Sequence, residues 1–183
     1  MIKQSYRFAE HSDKKYGEIC RKINNLIIFY SEPRGTEDEA NLILRNIWIG
    51  NWKSAYNYDF INRCRIEEII NATAYIPNKW KFIKYTTFDL HDKDGCTINL
   101  IDIINIGAEQ IHKAVSSNKA ILVHCKNGHH RSASIIALYL MKYHKMPLVD
   151  AIYFIKARRP TAFRRMTCLL QTLIYYEMQI MNS

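Results

Sequence analysis

Apolar residues recur at helical spacing near the start of the chain, where Ile19, Ile23, Leu26, Ile27 and Tyr30 fall on one face between Asp13 and Tyr30. The stretch that follows, SEPRGTEDEA, carries the breakers Pro33 and Gly35 and reads as a loop. Residues 1–40 are therefore expected to form an N-terminal helical arm, ahead of a domain spanning 41–183. From Leu42 the pattern changes. Ile47-Trp48-Ile49 predicts a short strand ending at Gly50, Ser54 to Cys64 a helix, Ile66 to Ala72 a second strand and Tyr85 to Leu90 a third. Ile98 to Ser116 places Ile101, Ile104, Ala108 and Ile111 on one helical face. Ala120 to Val123 is an apolar run short enough for a fully buried strand. Helices are then expected over Arg131–His144, from Pro147 to about Arg158, and from about Arg165 to Met178. Strands alternating with helices predict an α/β fold, with a mostly parallel central sheet flanked by helices and its central strand ending at Val123.

Composition narrows the class. The chain has 183 residues, 48% of them hydrophobic, which suits one globular domain and excludes a disordered or fibrous protein. No apolar stretch has the length of a membrane span or of a signal-peptide core. Five cysteines (Cys20, Cys64, Cys96, Cys125 and Cys168) occur at wide spacings with no CxxC pair, which fits free thiols in a cytoplasmic or other reducing compartment. The net charge of +9 favours anionic partners. The charge does not choose among a phosphorylated protein, nucleic acid, a phosphoinositide and an acidic surface; a phosphorylated protein is the expected partner and nucleic acid a less expected one.

Chemistry concentrates in VHCKNGHHRSAS, Val123 to Ser134. A buried strand must turn tightly into a helix there, and Gly128 permits the backbone dihedrals this needs. The turn's N–H groups and the positive helix end then make an anion cradle of phosphate size. Cys125 lies at its floor. Such surroundings lower a thiol pKa from about 8.5 to roughly 3.5–7.5, giving a nucleophile already ionised at neutral pH. Arg131 follows after five intervening residues, and its planar fork can hold two phosphoryl oxygens.

His-Cys-x5-Arg-Ser resembles the signature of the protein tyrosine phosphatase superfamily. ILRNIWIGNWKSA (Ile43 to Ala55) is similar to the start of the dual-specificity phosphatase domain, IINAT (Ile69 to Thr73) to its second strand, and RRP (Arg158 to Pro160) with Gln171 to its C-terminal helices. The resemblance covers about residues 42–178. It implies a general acid in TFDLHDKDG, with Asp92 in that role, Asp94 as the alternative, and Asp89 on the strand facing away. It further implies that Ser132 helps the thiolate leave the phosphoenzyme, that His124 orients the loop through hydrogen bonds, and that Asn71 braces the loop. The phosphate is expected on Lys126, Asn127, Gly128, His129, His130 and Arg131, chiefly through their backbones, with the long side chains in solvent. No metal or cofactor is implied.

The expected activity is hydrolysis of phosphotyrosine and phosphoserine/threonine in proteins through a cysteinyl phosphate. Lys126 resembles the loop of phosphoinositide 3-phosphatases, so a phosphoinositide phosphatase is one alternative, and an RNA 5′-triphosphatase on the same scaffold is another. An inactive phospho-binding module is the non-enzyme alternative, against which the presence of Cys125, Arg131 and Ser132 argues. Three further expectations concern the surroundings. Cys96 is expected to be buried and inert, or to protect Cys125 as a disulfide. Lys156, Arg158, Arg159, Arg164 and Arg165 are expected on a solvated face. The apolar stripe of the first helix is expected either to pack on its own domain or to cross to a second copy in a homodimer, the second being favoured because a loop separates the helix from the core. The abundance of Ile, Asn and Lys fits an AT-rich genome, such as that of a large DNA virus or a protist.

Overall fold

The computed structural model describes residues 14–30, 39–91 and 100–181. A five-stranded sheet lies at its centre: β1 (Asn41–Leu44), β2 (Ile47–Gly50), β3 (Ile66–Asn71), β4 (Lys84–Thr87) and β5 (Ala120–His124), in the order β1-β2-β5-β3-β4. The first two strands form an antiparallel hairpin, turned at Arg45-Asn46 with Asn46 at φ 67°. All other pairings are parallel. The mostly parallel α/β fold expected from the sequence is the one found, with β1 as an unpredicted edge strand.

The two-residue period of the strands divides apolar side chains between two cores. Ile47, Ile49, Ile121 and Val123 face the larger one, beneath α4 (Leu100–Ser116), α5 (Arg131–His144), α6 (Leu148–Lys156) and α7 (Cys168–Met181). Ala120, Leu122 and Ile69 face the smaller one, closed by Phe60 and Ile61. Since β5 is covered on both faces, all five of its residues are buried, which is why it reads as an uninterrupted apolar run.

Between β2 and β3 the expected single helix is two: α2 (Trp52–Tyr56) and α3 (Tyr58–Arg63). Asn57 causes the break. Its backbone N–H closes α2 on the Ser54 carbonyl, and its side chain accepts from Phe60 N at 3.1 Å to open α3. Asn51 caps α2 in the same manner, through Ser54 N at 3.0 Å. α2 follows β2 directly and lies beside the segment after β5, Trp52 N donating to Lys126 O at 3.3 Å.

Helix α1 (Lys14–Phe29) agrees with the predicted arm, but its apolar stripe lies inside the chain's own core. Tyr16, Ile19, Ile23 and Ile27 are buried against α6 and α7, and the Tyr16 and Tyr175 rings meet at 5.3 Å. Of the two placements expected for this stripe, packing on the chain's own domain is the one the structure shows, with Leu26 and Tyr30 half-buried at its edge. Among the described residues, no helix is long and apolar enough to cross a membrane.

Candidate active site

β5 ends at His124 and α5 begins at Arg131, and the loop between them is held from outside by its carbonyls. Lys126 O accepts from Trp52 N at 3.3 Å, and Asn127 O from Arg159 Nη2 at 3.4 Å. Gly128 O accepts from Arg159 Nε at 2.9 Å, His129 O from Phe163 N at 2.8 Å and His130 O from Ser134 N at 2.8 Å. Five consecutive carbonyls thus point away from the loop centre. In a planar trans peptide the C=O and the following N–H are antiparallel, so the N–H groups of residues 127–131 point inward. This is the nest that favours an anion.

Gly128 is required here on two counts. Its φ is +69°, a conformation side chains rarely adopt, and a Cβ there would come within 2.6 Å of Gly50 O and 2.7 Å of Arg159 Nη2. The loop can lie this close to the β2 end only with a bare backbone.

Cys125 is 2% exposed and sits at the floor of the nest. Its sulfur accepts from Gly128 N at 3.2 Å and lies 3.5 Å from Ser132 Oγ. Burial alone would push the thiol up. The positive charge of Arg131, the hydroxyl and backbone N–H of Ser132, and the Gly128 N–H outweigh it and hold the thiol below its ordinary value.

Arg131, the first residue of α5, is half-buried. Its Nη2 donates to Tyr75 Oη at 3.1 Å, and its guanidinium carbon lies 5.7 Å from the centre of that ring. Tyr75 had no signal in the sequence, because it stands 56 residues away in a loop. Asn71 is fully buried and braces this second loop rather than the one around Cys125. Its Oδ1 accepts from Thr73 N and Oγ1, and its Nδ2 donates to Ile76 O and Asn78 Oδ1.

Several expectations are corrected by burial. Lys126 and Asn127 are exposed as expected, but His129 and His130 turn inward and are each only 8% exposed. Burial, helped by the charges of Arg164, Arg159 and Lys156, pushes His129 down to about 4. Burial, with the charges of His129, Arg165, Lys156 and Arg131, pushes His130 down to about 3. Both rings are neutral at pH 7 and add no charge to the cradle. His124 is buried too and is pushed down to about 4, by burial first and by Arg131 as well. Its carbonyl accepts from Ala72 N at 2.9 Å and ties β5 to its neighbour, and its side chain hydrogen-bonds the Cys125 backbone, while ring Nδ1 has no partner among the described residues.

The basic stretch near the C-terminus is not one solvated face. Lys156 and Arg159 are buried, and only Arg158, Arg164 and Arg165 are exposed. Lys156 Nζ donates to the carbonyls of Pro160 and Ala162, and burial pushes it down to about 8. Arg159 joins the loop carbonyls to Glu39 O and the Asn41 side chain. Arg159→Met is expected to cost about 2–4 kcal/mol, because it leaves buried carbonyls without donors. The urea midpoint at unchanged m-value measures that cost, and a raised KM would accompany it.

Asp89 lies two residues beyond β4, exposed, with His91 Nε2 at 3.1 Å from its carboxylate, so it is not on the strand as expected. Asp92, Asp94 and Cys96 lie outside the described residues. Among the described residues no group of three metal-ligating side chains converges.

Comparison with known proteins gives this geometry a context. The family model "Dual specificity phosphatase, catalytic domain" matches residues 47–179. The mouse dual specificity protein phosphatase 14 is 34% identical over 142 residues, covering 77% of this chain and 70% of that protein. The human dual specificity protein phosphatase 21 is 32% identical over 162 residues, covering 84% and 82%. Among solved structures, human DUSP28 superposes with a TM-score of 0.72 at 20% identity, over 82% of this chain and 99% of that one. The human tyrosine phosphatase-like serine/threonine/tyrosine-interacting protein does so with 0.70 at 24% identity, over 79% and 99%. A family match over most of the domain, joined by relatives above 30% identity along most of the chain, shows that this protein belongs to the dual specificity phosphatase family.

Proposed function

We propose that the chain hydrolyses phosphotyrosine and phosphoserine/threonine in proteins, with Cys125 as nucleophile. The observation that carries this reading is the sulfur at the floor of a loop whose five outer carbonyls are all bonded outward. A phosphate dianion entering the nest meets N–H groups on its oxygens and a thiolate facing its phosphorus. Sulfur attacks, the bond from phosphorus to the ester oxygen breaks, and Asp92 gives its proton to the departing oxygen. Arg131 and the inward N–H groups hold the equatorial oxygens, where charge is spread in the transition state. Water then attacks the cysteinyl phosphate while Asp92 takes its proton. Phosphate leaves, and the Ser132 hydroxyl stabilises the thiolate that departs. His124, His129 and His130, buried and neutral, shape the loop without joining the proton transfers.

In this reading residues 41–183 are the catalytic domain. The arm, residues 1–40, contributes α1 as a buttress on α6 and α7.

The test is a rapid acid quench with radiolabelled phosphopeptide. Label is expected on the wild-type protein and absent from Cys125→Ser; label retained by the serine variant would move the nucleophile elsewhere. The acid is tested separately. Asp92→Asn is expected to lower kcat about 10²-fold on an alkyl phosphoester and less on an aryl ester whose oxygen leaves without a proton. If Asp94→Asn shows that pattern instead, the proton comes from Asp94.

A further inference from the structure

Tyr75 takes no part in the steps above, yet it is built into the site. More than half exposed at 57%, it is neither core nor loose surface. The backbone on both sides of it is pinned by the buried Asn71 side chain, through Thr73 N at 3.1 Å and Ile76 O at 2.7 Å. Beyond it, Tyr56 Oη donates to Pro77 O at 2.6 Å. The ring is tethered in turn by Arg131, at 3.1 Å to the hydroxyl and 5.7 Å to the centroid. An exposed aromatic ring is thus held in one orientation beside the arginine assigned to the phosphate.

We propose that Tyr75 is a specificity-determining residue, whose ring forms an aromatic wall for the group esterified to the phosphate and tilts the enzyme toward phosphotyrosine over phosphoserine/threonine. This deepens the catalytic reading above and rests on it. One of the five guanidinium N–H donors goes to Tyr75, which leaves the others for phosphoryl oxygens. The ester group must leave the nest past the rim, since the floor is filled by Cys125 and the back by Arg159. A phenyl ring passing Tyr75 gains an aromatic contact that a serine or threonine methylene cannot make. Only a contact available to one of two competing esters changes their ratio of kcat/KM.

The experiment compares a phosphotyrosyl and a phosphoseryl peptide of the same flanking sequence, on wild type, Tyr75→Phe and Tyr75→Leu. Inorganic phosphate serves as a competitive inhibitor with no ester group. Tyr75→Leu is expected to lower the ratio of the two kcat/KM values about two- to tenfold, the range of a single aromatic pair. Tyr75→Phe, which keeps the ring and loses its tether, is expected to fall between. The inhibition constant for phosphate should stay within about twofold of wild type in both. A ratio unmoved in the leucine variant overturns the proposal. So does an equal fall for both peptides with weakened phosphate inhibition, since that marks a residue acting on Arg131 alone. A Cys125→Ser control that kept its turnover would remove the catalytic reading, and this one with it; a dead control with an unmoved ratio removes Tyr75 alone.

Discussion

Cys125→Ser is expected to lower kcat/KM for an aryl phosphate by roughly four orders of magnitude or more, under reducing conditions with excess chelator. The substitution keeps the volume and a polar atom at the same point, so the folded state should survive, with the thermal midpoint little changed. What it removes is ionisation. Arg131, Ser132 and the Gly128 N–H hold the thiol below its ordinary value against burial, which favours the ionised, nucleophilic sulfur. A serine hydroxyl in the same nest stays protonated, because its ordinary pKa lies far above that of a thiol. The nest itself is backbone, so inorganic phosphate should bind the variant at least as well as wild type, having lost a repelling thiolate. Loss of turnover with retained phosphate binding separates a missing nucleophile from a collapsed site. Substantial turnover by the serine variant would show that Cys125 does not attack.

Arg131→Ala is expected to cost about 10³-fold or more in kcat/KM, in the range that a charged guanidinium on a transferring phosphoryl group commonly supplies. Two losses combine. The transition state loses a bidentate partner for its equatorial oxygens. Cys125 loses the largest influence that lowers its pKa, while the burial that raises it remains. The direction of the pH effect follows. The thiolate is the reactive form, and a group with a raised pKa ionises only at higher pH, so the acid limb of the kcat/KM profile should move upward. Arg131→Lys keeps a positive charge and loses the planar fork. It should restore most of the pH profile but little of the rate. An acid limb that stays in place in the alanine variant would show that Arg131 does not hold the thiol down.

How far the sequence could be read depended on how local the causes were. β5, the loop and α5 are contiguous. An apolar run, one glycine and the onset of a 3.6-residue period locate them, and α5 falls on the residues expected, Arg131 to His144. The split of α2 from α3 was also local, but it rests on Asn57 being both the end of one helix and the start of the next, and periodicity alone does not register a double cap. β1 is short, and an edge strand of four residues leaves little pattern.

The side chains that frame the site behaved differently. Arg159 and Lys156 stand in a sequence that looks like an exposed basic face, yet both are buried. They are inside because the carbonyls of the loop and of the 160–162 turn need donors at those points, and those carbonyls come from segments up to about thirty residues away. His129 and His130 are buried near Lys156 and Arg159, whereas Lys126 and Asn127 are exposed. Asn71 and Tyr75 act on a loop that meets Arg131 only in the folded chain.

The sequence by itself determined the family, the strand–loop–helix and the pairing of Cys125 with Arg131, because the chemistry of a phosphate nest is written in consecutive residues and in backbone geometry that one glycine permits. Only the tertiary structure decided which basic and imidazole side chains are buried, which residue clamps the loop from behind, and that Tyr75 stands over the arginine. Burial and hydrogen bonds depend on what lies opposite a residue in space, and for Arg159 and Tyr75 those partners are tens of residues away along the chain.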